Sequence, residues 1–217
     1  MKVRFISAVL AVLLLISTLT VGMTVHGVLN FNDTDGHWGE SAIEYVVENG
    51  LMNGVGDGTS FAPNMSLTRG MVVTVLYRDN GAPSGEFMGT FLDVTDSAYY
   101  TAAAEWAYAN EIVNGTGTDE WGEPYFSPDR DITRQELATM FKRYADFKHV
   151  DTTKGSSDIS AFPDAGTVAD WASDAVKWAV GVGLITGKGG WRCGYSITYR
   201  QGCKSRICHH HQAFQGS

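Results

Sequence analysis

Apolar residues recur at helical spacing in three stretches, and each stretch closes on a glycine. In "FNDTDGHWGESAIEYVVENGLMNGVGDG", from Phe31, the residues Trp38, Ala42, Ile43, Val46 and Val47 share one helical face. Tyr99, Ala103, Ala104, Ala107 and Tyr108 do the same in "FLDVTDSAYYTAAAEWAYANEIVNGTG", from Phe91. Trp171, Ala175, Val176, Ala179 and Val180 repeat the pattern in "FPDAGTVADWASDAVKWAVGVGLITGKG", from Phe162. This spacing predicts three short amphipathic helices whose aromatic and small residues face a core. An apolar pair follows each one (Leu51-Met52, Ile112-Val113, Leu184-Ile185) and leads into a glycine turn at Gly54, Gly115 and Gly187. Gly50, after Asn49, is suited to a left-handed helix stop.

Two further helices are predicted between these units. "FAPNMSLTRGMVVTVLYR", residues 61–78, and "FSPDRDITRQELATMFKRY", residues 126–144, each run from Phe-x-Pro into an apolar helical pattern. Thr133 stands at a helix N-cap position with Glu136 three residues later, which is a capping box. Arg134 then falls in the first turn, and Arg69 falls in the same place in the earlier copy. A cation there opposes the helix dipole by about 0.3–1 kcal/mol. The chain makes this unfavourable choice twice.

The pattern is thus a repeated unit of helix, glycine loop and helix. One such unit is too small to bury much apolar surface alone, and three around a shared centre solve that problem. Polar linkers, "DNGAPSGEFMGT" at 79–90 and "HVDTTKGSSDIS" at 149–160, separate the units. The expected divisions are 1–27, an export signal, then repeats at 28–90, 91–154 and 155–217. In the signal, Lys2 and Arg4 precede the apolar run Phe5 to Leu19, which is shorter than the roughly 20 residues a membrane span needs.

Composition narrows the function. The 217 residues are 44% hydrophobic and 18% charged, with a formal net charge of −8. An acidic chain has no electrostatic reason to seek nucleic acid or an anionic bilayer, so an anionic ligand must be held by local arginines. All three cysteines (Cys193, Cys203, Cys208) lie near the C-terminus, so no disulfide framework supports the body.

Phe-x-Asp, the aromatic-to-alanine helix, the glycine loop, Phe-x-Pro and the boxes "LTRGM" (67–71) and "ITRQE" (132–136) recur in order over about residues 30–190. In this the chain resembles the S-layer homology family, triple repeats that hold exported bacterial proteins on the cell wall. The resemblance implies a mainly α, pseudo-threefold bundle. It further implies a non-catalytic anchoring module that binds a secondary cell-wall polysaccharide, often pyruvylated, in grooves between repeats. Carried onto this chain, the implied ligand residues are Arg69 and Arg134 with Asp33, Asp93, Asp164, Trp38, Tyr99 and Trp171. The arginine would meet a carboxylate through two parallel hydrogen bonds, aided by the free N–H groups of the helix start. The competing reading of each arginine is a surface cation paired with an aspartate such as Asp129 or Asp131. Gly70-Met71 departs from the family's usual Ala-Glu, repeat 2 carries the insertion "TDEWGEPY", and repeat 3 has no recognisable box.

Other chemistry is weaker. "NDTDG" (32–36) and "GDG" (56–58) resemble fragments of calcium loops without full ligand spacing, which leaves calcium-dependent protein docking as the alternative function. No nucleophile elbow or H-E-x-x-H motif occurs, so no enzyme, cofactor or metal site is expected. Most Trp and Tyr residues are expected to pack in the core, with Trp121 in the insertion as the exposed candidate for sugar stacking. From about residue 191 the tail holds Cys193, Cys203, Cys208 and His209 to His211 in no common ligand spacing. A shifted reading frame restores a likeness to residues 133–144, so the tail reads as a third arginine helix lost to a frame error. Loss of that helix predicts lower stability and one or two impaired grooves.

Overall fold

The computed structural model describes residues 31–187. These form α-helices α1 (Glu40–Glu48), α2 (Arg69–Asp79), α3 (Thr101–Ala109), α4 (Arg134–Phe147) and α5 (Ser173–Gly181). A small hairpin, β1 (Gly117–Thr118) with β2 (Pro124–Tyr125), occupies the insertion, and two 3-10 turns (Ala165–Thr167, Asp170–Ala172) precede α5. The described residues are therefore mainly helical. The export signal and the cysteine-rich tail lie outside them.

Helices of nine residues are not stable alone, and the end of each is built into the core. At α1 the Gly50 amide donates to the Val47 carbonyl (2.9 Å) and the Leu51 amide to Val46 (2.8 Å). Gly50 sits at φ 68°, so the chain reverses and drops Leu51 into the interior. The same closure ends α3, where Glu111 donates to Tyr108 (3.0 Å) and Ile112 to Ala107 (2.8 Å).

The two helices of one repeat are not each other's main partners. Instead α2 packs on α3, and α4 packs on α5. The box helix of one unit thus lies against the first helix of the next, so each interface stitches neighbouring repeats. Buried aromatics reinforce the first two units from within, Phe31 against Phe61 (ring centroids 5.4 Å apart) and Phe91 against Phe126 (5.2 Å).

Phe-x-Asp and Phe-x-Pro, distant in sequence, meet in space. The Asp33 carboxylate accepts the amides of Phe61 (2.8 Å) and Ala62 (2.7 Å), and Asp93 accepts those of Phe126 and Ser127 (both 2.7 Å). Ala62 (φ 56°) and Ser127 (φ 55°) are left-handed without being glycine. Two charge-assisted bonds, each contributing about 1.5–3 kcal/mol, offset that strain.

The glycine in "LTRGM" also has a reason. A Cβ on Gly70 would lie 3.0 Å from the Tyr100 ring and 3.1 Å from the Pro128 carbonyl oxygen. Bare backbone here lets α2 approach the next repeat, and the Gly70 amide donates to that carbonyl (2.8 Å).

Candidate functional site

Arg69 and Arg134 open α2 and α4 as the capping pattern predicts. Neither is a surface cation, for only 4% and 3% of each is exposed. Arg69 reaches into repeat 2. Its Nε donates to the Phe126 carbonyl (2.8 Å), Nη2 to the Asn114 carbonyl (3.2 Å), and Nη1 meets Glu136 (3.2 Å). The guanidinium lies over the Phe126 ring, 4.9 Å from its centroid. Burial pulls its pKa down to about 10, against the charge of Glu136. Arg134 makes the matching contact one repeat later, Nη2 to the Thr186 carbonyl at 2.5 Å. For Arg69 the competing reading of a pair with Asp129 or Asp131 gives way to carbonyls and Glu136. A guanidinium suits this role because its fixed fork satisfies several carbonyls at once.

The start of α2 offers no free amides to an anion. Arg69 N–H donates to the Arg130 carbonyl (3.1 Å), Gly70 to Pro128, and Met71 to the Thr68 hydroxyl (3.3 Å). At α4 the capping box is complete. The Thr133 hydroxyl accepts from the Glu136 amide (3.3 Å), and the Glu136 carboxylate accepts from the Thr133 amide (3.0 Å).

Two related grooves lie along the seams. The second, a cleft of about 340 Å³, is walled by Arg69, Arg130, Glu136, Arg143 and Trp171, with the loop Asn114–Thr116 as one side. The first, about 490 Å³, uses corresponding positions but presents Met65 for Arg130, Met71 for Glu136 and Tyr99 for Trp171. Arg78 stands there where Arg143 stands in the second. Among the described residues the second groove therefore holds three cations and one carboxylate, whereas Arg78 is the one charged residue lining the first. Arg130 pairs with Glu136, while Arg143 has no hydrogen-bond or ion-pair partner among the described residues.

Glu136 is the hinge of this electrostatic arrangement. Burial pushes its pKa upward, but the Arg130 hydrogen bond, the Thr133 amide and hydroxyl, and the Arg69 charge outweigh burial and leave it below the ordinary carboxylate value. A depressed folded pKa stabilises the fold above the unfolded value, and that stabilisation is lost as pH falls through the folded pKa. The stability of the wild type, followed by thermal melting below about pH 4.5, should therefore fall more steeply than that of Glu136→Gln. Parallel pH profiles would remove Glu136 from this role.

The aromatic expectation requires a correction. Trp38, Tyr99 and Trp171 are not core residues; they are 60%, 59% and 60% exposed. The helices begin two residues after these aromatics, at Glu40, Thr101 and Ser173, so these side chains sit in the approach to each helix. Tyr99 and Trp171 consequently edge the two grooves. Tyr108, placed on the same buried face, is also exposed, at 43%. Trp121 is exposed at the tip of the hairpin but lines neither groove.

Asp33 and Asp93 support the groove loops through the amide clamps described above. Asp164 begins the turn Ala165–Thr167, where its carbonyl accepts the Thr167 amide (3.0 Å). Among the described residues no group of three or more His, Cys, Asp or Glu is placed to hold a metal, and no helix is long and apolar enough to cross a membrane. Arg130 and Arg143 were not singled out from the sequence. The available signal for Arg143 is that Arg78 occupies the same place in the preceding box helix.

The sequence model described as "S-layer homology domain" matches residues 30–70, 90–138 and 161–190, more than half of the chain. A surface-layer 125 kDa protein of Lysinibacillus sphaericus is 31% identical over 167 residues, 76% of this chain and 14% of that protein. The S-layer protein EA1 of Bacillus anthracis is 28% identical over 167 residues, 75% of this chain and 18% of its own length. An amylopullulanase of Thermoanaerobacterium thermosulfurigenes is 28% identical over 160 residues, 73% of this chain but 8% of the enzyme. The chain thus spans a small fraction of these relatives.

Proposed function

This chain belongs to the S-layer homology domain family, and from that premise we propose that it is a non-catalytic module anchoring to a carboxylate-bearing polysaccharide of the bacterial cell wall. Membership in this family, shared with S-layer proteins, gives it an exported, cell-surface location. The alternation of α2 on α3 and α4 on α5, each box helix against the first helix of the next unit, supports a pseudo-threefold arrangement.

One observation carries the ligand assignment. In a chain of net charge −8, the second groove gathers Arg69, Arg130 and Arg143 against a single glutamate, beside the exposed indole of Trp171. A sugar presents an apolar face to such an indole and its acid to the guanidinium groups. Pyruvate, as a ketal on the sugar, is the acid that the resemblance favours. The family's ligand residues are thereby divided. Trp171, Arg130 and Arg143 touch the polymer, whereas Arg69 and Arg134 build the grooves from behind.

Co-sedimentation of the exported chain with purified wall sacculi tests this reading. Binding should be strong on intact walls, absent after the secondary polysaccharide is stripped, and weakened in 0.5 M salt, where screening is short-ranged (about 4 Å). Equal binding to stripped walls would overturn it.

A further inference from the structure

The second groove does not end at Arg143. Arg143 and Asn114 also wall a neighbouring polar cleft of about 790 Å³, completed by Tyr108, Asn110, Glu111 and Asp146. The two clefts therefore adjoin, with Asn114 and Arg143 common to both walls. Their charges differ. The first compartment is cationic, whereas the second sets Glu111 and Asp146 beside Arg143, with Asp146 already paired to Lys142 (3.1 Å).

Glu111 is the unusual residue. It occupies the left-handed position after a helix, at φ 58°. The corresponding positions after α1 and α5 are Gly50 (φ 68°) and Gly183 (φ 76°). Repeat 2 alone of the three thus places a side chain where the backbone disfavours one. That carboxylate is exposed and makes no side-chain hydrogen bond among the described residues. It stands beside Tyr108, which is 43% exposed and braced edge-on by Phe91 (5.2 Å). Repeat 1 has Val47, Gly50, Gly81 and Ala82 at the places of Tyr108, Glu111, Asp146 and Phe147, so it lacks this chemistry.

Resting on the wall-binding reading, we propose that this cleft is a second subsite, holding an uncharged sugar unit of the same polymer next to the acidic unit bound between Arg130 and Arg143. Tyr108 supplies a face for the sugar ring, and Glu111 accepts from its hydroxyls. The two carboxylates repel a second acid, so the subsite sets the order of units that the chain accepts.

The test uses wall polysaccharide released by mild acid and fractionated into one-unit and three-unit fragments. Wild type should bind the longer fragment about tenfold more tightly than the shorter. Glu111→Gly should cut that ratio to about twofold while raising Tm by about 1–3 °C, because glycine relieves the backbone. Glu111→Gln, which keeps the strained backbone, should lower the ratio without raising Tm. An undiminished ratio in both variants overturns the subsite and leaves the anchoring reading standing. Wild type binding neither fragment overturns the anchoring reading and the subsite with it.

Discussion

Arg69→Ala is expected to destabilise the protein by about 3 kcal/mol, a fall in Tm of about 6–12 °C for a chain of this size. The side chain is 4% exposed and links repeat 1 to three points of repeat 2: the Phe126 and Asn114 carbonyls and Glu136. Truncation leaves two carbonyls without a donor and opens a cavity over the Phe126 ring. Glu136 keeps Arg130 and its capping bonds, which holds the loss below the most severe values for broken buried pairs. Arg69→Lys should recover less than half, since one ammonium cannot span both carbonyls and the carboxylate. Thermal melts of the three proteins decide the matter. A change in Tm below 2 °C for the alanine variant would mean that the seam does not depend on this arginine.

That expectation inverts the reason for putting an arginine at a helix start. The sequence presents the residue as an electrostatic anomaly, and an external carboxylate is the natural partner to assign. What it does not present is the neighbouring repeat. Phe126, Asn114 and Glu136 lie far along the chain, and nothing local brings them to Arg69. The amides that make a helix start attractive to anions are likewise taken by Pro128 and Arg130 of the same neighbour.

Local rules served well elsewhere. The capping box placed the start of α4, the matching Thr-Arg pair placed that of α2, and the Asn-Gly stop placed the end of α1. Repeat periodicity alone marks out the units. It failed at Trp38, Tyr99 and Trp171 because α-helical spacing was extended through a segment that is not α-helical. The aromatic then counts as one more core position when it is exposed, and in Tyr99 and Trp171 it edges a groove. Gly70 likewise reads as a defect of the box, although the close approach of Tyr100 and Pro128 requires it.

Because Arg69 is committed to the seam, the loss of wall binding should follow the cations that are not. Arg143→Ala is expected to weaken binding about 10-fold or more, and Arg130→Ala with Arg143→Ala about 100-fold, from charge-assisted bonds of about 1.5–3 kcal/mol each. Neither change should lower stability by more than about 1 kcal/mol. Arg143 has no ion-pair partner among the described residues, and the Arg130 side chain is 43% exposed in its pair with Glu136. The first groove supplies the control. Arg78, the counterpart of Arg143, also donates to the Leu51 carbonyl (3.1 Å), and its groove has Met65 and Met71 where the second has Arg130 and Glu136. Arg78→Ala should therefore reduce wall binding less than twofold while costing some stability. Co-sedimentation beside melting curves separates the two axes. If Arg78→Ala and Arg143→Ala weaken binding alike, the grooves are equivalent and the cationic character of the second does not select the ligand. If Arg143→Ala loses binding with its melting curve intact, the carboxylate of the polymer lies between Arg130 and Arg143, and Arg69 is the frame behind them.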